Sequence, residues 1–140
     1  MIKQFLIVLI MLVSLSCGRN EPLSTYEPKS PQEAALKSLL LKFENYVNTR
    51  NAEMVASLIH EDASIMLGRE RKILSKSEYR KILPQRLANN PSIALSQPKI
   101  KVSGNKAEVK VYLARGNFGV LLVYNMVQEN NQWYIESWKY

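Results

Sequence analysis

The chain has a single histidine, His60, and it stands directly before Glu61 and Asp62. These residue types can form an acid–base dyad, in which the imidazole takes a proton and a neighbouring carboxylate orients the ring. The same triplet also has a structural reading. It ends a short helix, where a cationic histidine suits the negative end of the dipole and the carboxylates open the next turn. Its position favours that second reading, so no catalytic residue is assigned. One histidine, two adjacent rather than spaced carboxylates and no cysteine after residue 17 do not make a usual metal-ligand set. The glycines fall at expected turns and form no phosphate-cradling loop. No metal and no cofactor are expected.

The other reactive side chain is Cys17, the one cysteine in the chain. It follows a short basic start at Lys3 and an apolar run from Phe5 to Leu15. That run is too short for a membrane span, which needs about 20 apolar residues, and it reads as a secretory signal peptide over residues 1–16. Small residues at Ser14 and Ser16 suit cleavage between Ser16 and Cys17. The stretch "VSLSC" resembles the lipobox of bacterial lipoproteins, with the usual leucine displaced from position 14 to Leu15. The resemblance implies an acylated Cys17. Several acyl chains hold a protein firmly to a membrane where one alone does not. Gly18, in place of an inner-membrane retention aspartate, points to an exported, outer-membrane lipoprotein facing the periplasm.

Removing the first 16 residues of 140 leaves 124, and the loss of Lys3 lowers the net charge from +7 to +6. That length suits one domain. The densest basic stretch, "RERKILSKSEYRK", is interleaved with Glu70 and Glu78. It reads as a solvated face rather than a nucleic-acid footprint, which would need stacking aromatics along a basic surface. With no pair of cysteines, the fold relies on its core rather than on disulfides. Residues 17–30, rich in proline and polar side chains, are expected to be a flexible tether.

The domain, residues 31–140, opens on helical signals. Ser30-Pro31-Gln32-Glu33 reads as a capping box, and Leu36, Leu39, Leu40, Phe43, Tyr46 and Val47 recur at helical spacing to about Asn48. Asn51 caps a short second helix ending near His60. "ASIML" reads as a strand and "GRER" as a turn. Ser75 to Glu78 is a further capping box, opening a helix that Pro84 is expected to kink or end. After Pro91 the period becomes two. Strands are expected at "PKIKV", "KAEVKVYL", "VLLVYNMV" and "WYIESWKY", the third central in the sheet. Strict alternation sends Trp133 and Trp138 to opposite faces. Helices first and an antiparallel meander after mean α+β.

The stretches "FENYVNTRNAEMVASLIHEDASIML" and "NNQWYIESWKY" resemble the nuclear transport factor 2-like superfamily, including its SnoaL-like and ketosteroid isomerase-like branches. The resemblance implies a cone-shaped fold with N-terminal helices on a curved antiparallel sheet, an apolar cavity, and a homodimer through the outer sheet face. In ketosteroid isomerase-like members it also implies a base aspartate near "SIML". Here that region is Ile65-Met66-Leu67-Gly68, with no carboxylate. Tyr124 and Asn125 remain as hydrogen-bond donors. Phe43, Tyr46, Met66, Tyr124 and Trp138 are the pocket-lining candidates. The expected function is an envelope-anchored lipoprotein whose domain binds a small apolar ligand or a protein partner without catalysis. The alternatives are an enzyme with an unusual site, such as His60 with Asp62, or a structural dimerisation module.

Overall fold

The computed structural model describes residues 21–140. The expected signal peptide, the expected cleavage after Ser16 and the expected acylation of Cys17 lie outside the described residues. Helix α1 spans Pro31–Asn48 and α2 spans Ala52–Ser57. Strands β1 (Ile59–Leu67) and β2 (Lys72–Ser75) form a hairpin, followed by α3 (Lys76–Asn89). Then come β3 (Ile93–Ser103), β4 (Lys106–Arg115), β5 (Phe118–Glu129) and β6 (Gln132–Lys139). The helices pack on one face of a curved six-stranded sheet of order β2-β1-β6-β5-β4-β3. β3 to β6 form an antiparallel meander, and β5 lies inside the sheet as its apolar sequence requires. The sheet is mixed, because β1 runs parallel to β6.

The helix starts follow from their caps. Ser75 Oγ accepts from the Glu78 N–H at 3.2 Å, and the Glu78 carboxylate accepts from the Ser75 N–H at 2.8 Å, so both halves of the box exist. At α1 only half of the expected box forms. Ser30 Oγ accepts from the Glu33 N–H, but the Glu33 carboxylate takes the Lys29 N–H at 2.9 Å and the Tyr26 hydroxyl at 2.7 Å. Those two bonds hold the Glu33 carboxyl below its ordinary range, the Lys29 N–H most strongly.

Five expectations are corrected. Residues 21–30 are no loose tether: Leu23 is buried in the core, Pro22 bridges to Ser96, and Lys37 Nζ donates to the carbonyls of Ser24 and Tyr26. Helix α3 does not end at Pro84 but runs on to Asn89. Pro84 and Arg80, whose carbonyl loses its helical donor there, both lie on the exposed side, where water replaces the bond. The segment "KILS", not expected as a strand, forms β2, and β3 begins at Ile93, earlier than its alternation suggested. Finally, Trp133 and Trp138 are both buried on the inner face. A β-bulge decides this: Asn125 pairs with Ser137 and Met126 with Ile135, so Glu136 is the extra residue that resets the alternation.

The outer edge of β3 is covered. Asn48 accepts from the Ile93 N–H and donates to the Ile93 carbonyl, and Glu44 accepts from the Leu95 N–H at 2.7 Å. These side chains pin α1 to β3, satisfy an otherwise open strand edge, and set the width of the space between them.

Candidate functional site

A cavity of about 140 Å3 lies between the inner sheet face and helices α1 and α3. Its floor is an aromatic cluster. Phe43 from α1 meets Tyr124 of β5 edge-on at 5.8 Å between ring centroids and Trp138 of β6 at 6.1 Å. Trp138 in turn meets Tyr124 at 5.9 Å and Tyr79 of α3 at 5.6 Å. Edge-to-face packing aligns ring edges with ring faces and fixes all four rings. Trp138 Nε1 donates to the Met66 carbonyl at 3.0 Å, which ties the floor to β1.

Register explains which side chains reach the cavity. On β4 the inward set Ala107, Val109, Val111 and Leu113 is buried, as alternation predicts. The same parity carries Arg115 inward at the end of the strand, where it pairs with Phe118 across a two-residue turn and lines the mouth. Gly116 opens that turn with φ 58°, a conformation glycine adopts without strain. Arg86, from the last turn of α3, reaches the mouth from the other side. Asn90 links the two: its side-chain amide donates to the Arg86 carbonyl, and its oxygen accepts from Arg115 Nη1 at 3.4 Å.

Three of the five expected pocket residues, Phe43, Tyr124 and Trp138, line this cavity. Tyr46 does not. It sits on the opposite side of α1, beside a shallow groove shared with Pro28 and Leu41. Met66 does not either, because alternation in β1 turns its side chain to the outer face opposite Ile73, while Leu67 lines the cavity. Asn125, the second expected donor, also faces outward and donates to Ser137 Oγ at 3.0 Å. Tyr79, Arg86, Asn90, Arg115 and Phe118 were not foreseen. For Arg115 the signal was present, as the fifth member of the alternating inward set on β4. The others come from α3 and a turn, whose placement against β4 no local pattern encodes.

The dyad kept as an alternative, His60 with Asp62, is also rearranged. His60 Nε2 pairs with Glu129 on β5, and its Nδ1 accepts the Asp62 N–H at 3.2 Å. Glu61 pairs instead with Lys76 at 2.7 Å, which holds its carboxyl below the usual range. Neither carboxylate next to His60 orients it by its side chain, and His60 is not among the residues lining the cavity. The lining contains no Asp or Glu. Among the described residues no three His, Cys, Asp or Glu side chains converge.

Burial raises the Tyr79 hydroxyl to about 12 and raises that of Tyr124 still further. Desolvation of the charged form is the main cause for both. Both phenols are therefore neutral donors at physiological pH. Neither has a hydrogen-bond partner among the described residues.

The fold recurs in solved structures. An NTF2-like protein from Cytophaga hutchinsonii superposes with a TM-score of 0.67 at 10% identity, over 78% of this chain and 96% of that one. The fold is nuclear transport factor 2-like. A protein of unknown function with a cystatin-like fold from Nostoc punctiforme also matches the NTF2-like domain, with a TM-score of 0.67 and 16% identity over 81% of this chain and 92% of that one. A candidate dehydratase of the NTF2-like family from Streptomyces avermitilis gives 0.62 at 17%, over 78% and 95%. No family model matches the sequence, and no curated protein matches it.

Proposed function

We propose that this chain is an envelope-anchored lipoprotein whose NTF2-like domain binds a small apolar ligand without chemical turnover. The observation that carries the reading is the cavity over the Phe43–Tyr124–Trp138 floor, whose lining holds no Asp, Glu or His side chain. Proton abstraction from a bound substrate needs an acceptor within reach. The phenols of Tyr79 and Tyr124 are held in the neutral, donating form, which suits binding and not the role of base. Anchoring rests on the lipobox-like "VSLSC" and its Cys17. The same reading includes a homodimer through the outer sheet face, where Leu121 is 56% and Ile73 55% exposed.

The test is titration of the purified full chain with toluene, followed by ligand-observed NMR. Toluene is expected to bind, and Val120→Phe, which places a ring in the cavity wall, is expected to exclude it while leaving the circular dichroism spectrum unchanged. Equal binding by the wild type and this variant would overturn the assignment of the cavity as the ligand site.

A further inference from the structure

The charged side chains that line the cavity have one sign. Arg86 and Arg115 stand at its mouth, and no acidic side chain lines it. The ion pairs among the described residues engage other cations: His60, Lys76, Arg80, Lys106 and Lys110. Arg115 Nη1 has only the long contact to Asn90, and Arg115 Nε is buried without any partner. A guanidinium donor withdrawn from water and left unpaired is destabilising, and such groups are rare in folded proteins. Its planar fork matches a carboxylate through two parallel hydrogen bonds. Immediately behind the arginines the surface turns apolar, toward Phe43, Tyr124 and Trp138. The cavity volume of about 140 Å3 is close to the roughly 150 Å3 of an apolar cavity that takes up benzene.

We propose that the cavity binds a small organic acid, with a body the size of one ring on the aromatic floor and its carboxylate on Arg115 and Arg86 at the mouth. The proposal rests on the apolar-ligand reading above and adds the charge. The absence of Asp and Glu from the lining removes the like charge that would repel an acid. The neutral hydroxyls of Tyr79 and Tyr124 add donors and no negative charge. A bare inorganic anion would satisfy Arg115 and leave the floor unfilled, so the two halves of the site together select an organic acid.

The test uses the purified full chain and three one-ring probes: phenylacetate, phenylacetamide and ethylbenzene. Affinities are measured by ligand-observed NMR and calorimetry at neutral pH. Phenylacetate is expected to bind roughly ten-fold or more tightly than phenylacetamide, since hydrogen bonds to a charged partner are about twice as strong as neutral ones. Arg115→Gln is expected to abolish that preference by weakening phenylacetate, with ethylbenzene reporting whether the apolar part of the cavity is intact. Arg86→Gln, on a helix surface and so a milder change, is expected to reduce the preference in part. Added salt should weaken phenylacetate and not ethylbenzene in the wild-type protein. Equal affinity for acid and amide, or a preference kept by both variants, overturns the proposal and leaves apolar binding standing. Sulfate binding as tightly as phenylacetate also overturns it, because the ring would then contribute nothing. Failure of all three probes to bind overturns both readings.

Discussion

Tyr79 and Tyr124 show how a single hydroxyl ties the cavity to stability. Each phenol is buried in apolar surroundings, and burial opposes the phenolate. A group whose folded-state value is raised stabilises the fold below its unfolded value and loses that contribution as pH climbs toward the raised value. For Tyr79 the window runs from 10.0 to about 12. A shift of that size corresponds to about 3 kcal/mol at its upper end, from about 1.4 kcal/mol per pKa unit. Thermal melts between neutral pH and pH 12 are therefore expected to lose stability above about 10, the ordinary tyrosine value. Tyr79→Phe should make that loss shallower, while Tyr124, which is raised as well, keeps its onset near 10.0. An unchanged alkaline profile in Tyr79→Phe would show that this phenol does not control it. Arg115 is the opposite case, a charge whose nearest partners among the described residues do not neutralise it. That leaves the mouth of the cavity basic.

Among the elements, β6 and α3 carry the most information. The bulge at Glu136 exists because Trp138 stands three residues after Ile135 and both must face inward. Deleting Glu136 leaves Ser137 opposite Asn125 and Trp138 opposite Tyr124, in strict alternation. That deletion should keep tryptophan emission unshifted and sacrifice only the exposed pair with Lys106, worth about 0–1 kcal/mol. Inserting one serine after Ser137 should instead turn Trp138 outward. The expected results are red-shifted emission and a loss of about 3–5 kcal/mol, as for removing a tryptophan from a core. If the two variants gave equal emission, the bulge would not set the facing of Trp138. Helix α3 depends on its reciprocal cap, and Ser75→Ala should cost about 1 kcal/mol in chemical denaturation. Because α3 also supplies Tyr79 and Arg86, that variant should loosen probe binding as well.

For the molecule as a whole, two surfaces matter beyond the cavity. Anchoring is expected to depend on Cys17 alone, so Cys17→Ser should move the protein from the membrane to the soluble fraction. Intact mass should show the loss of the acyl chains at the same time. A Cys17→Ser protein that stayed membrane-bound would refute the lipid anchor. The outer sheet face carries the exposed Leu121 and, on β2, Ile73. Replacing Leu121 with glutamate should reduce the apparent mass in analytical ultracentrifugation if that face joins two copies. Residues 21–30 dock along β3 and α1. From Glu21 onward the chain is part of the domain.

Local patterns in the sequence account for much of this protein. The caps at Ser30, Asn51 and Ser75, the heptad-like spacing in α1 and the alternation of β4 each place their element correctly. The reason is that hydrogen-bond satisfaction at helix ends and one-sided burial act within a few residues. The order of these elements was enough to indicate the NTF2-like fold. Other features arise only between distant elements. The bulge in β6 trades regular alternation for burial of a second tryptophan. Leu23 abandons a proline-rich segment for the core. His60 pairs with the Glu129 carboxylate rather than with that of Glu61, because an extended strand points adjacent side chains to opposite faces. The mouth of the cavity is of this kind too. Arg86 and Arg115 lie on a helix and a strand that no short pattern joins, and they share Asn90 only because the packed core brings α3 against the end of β4.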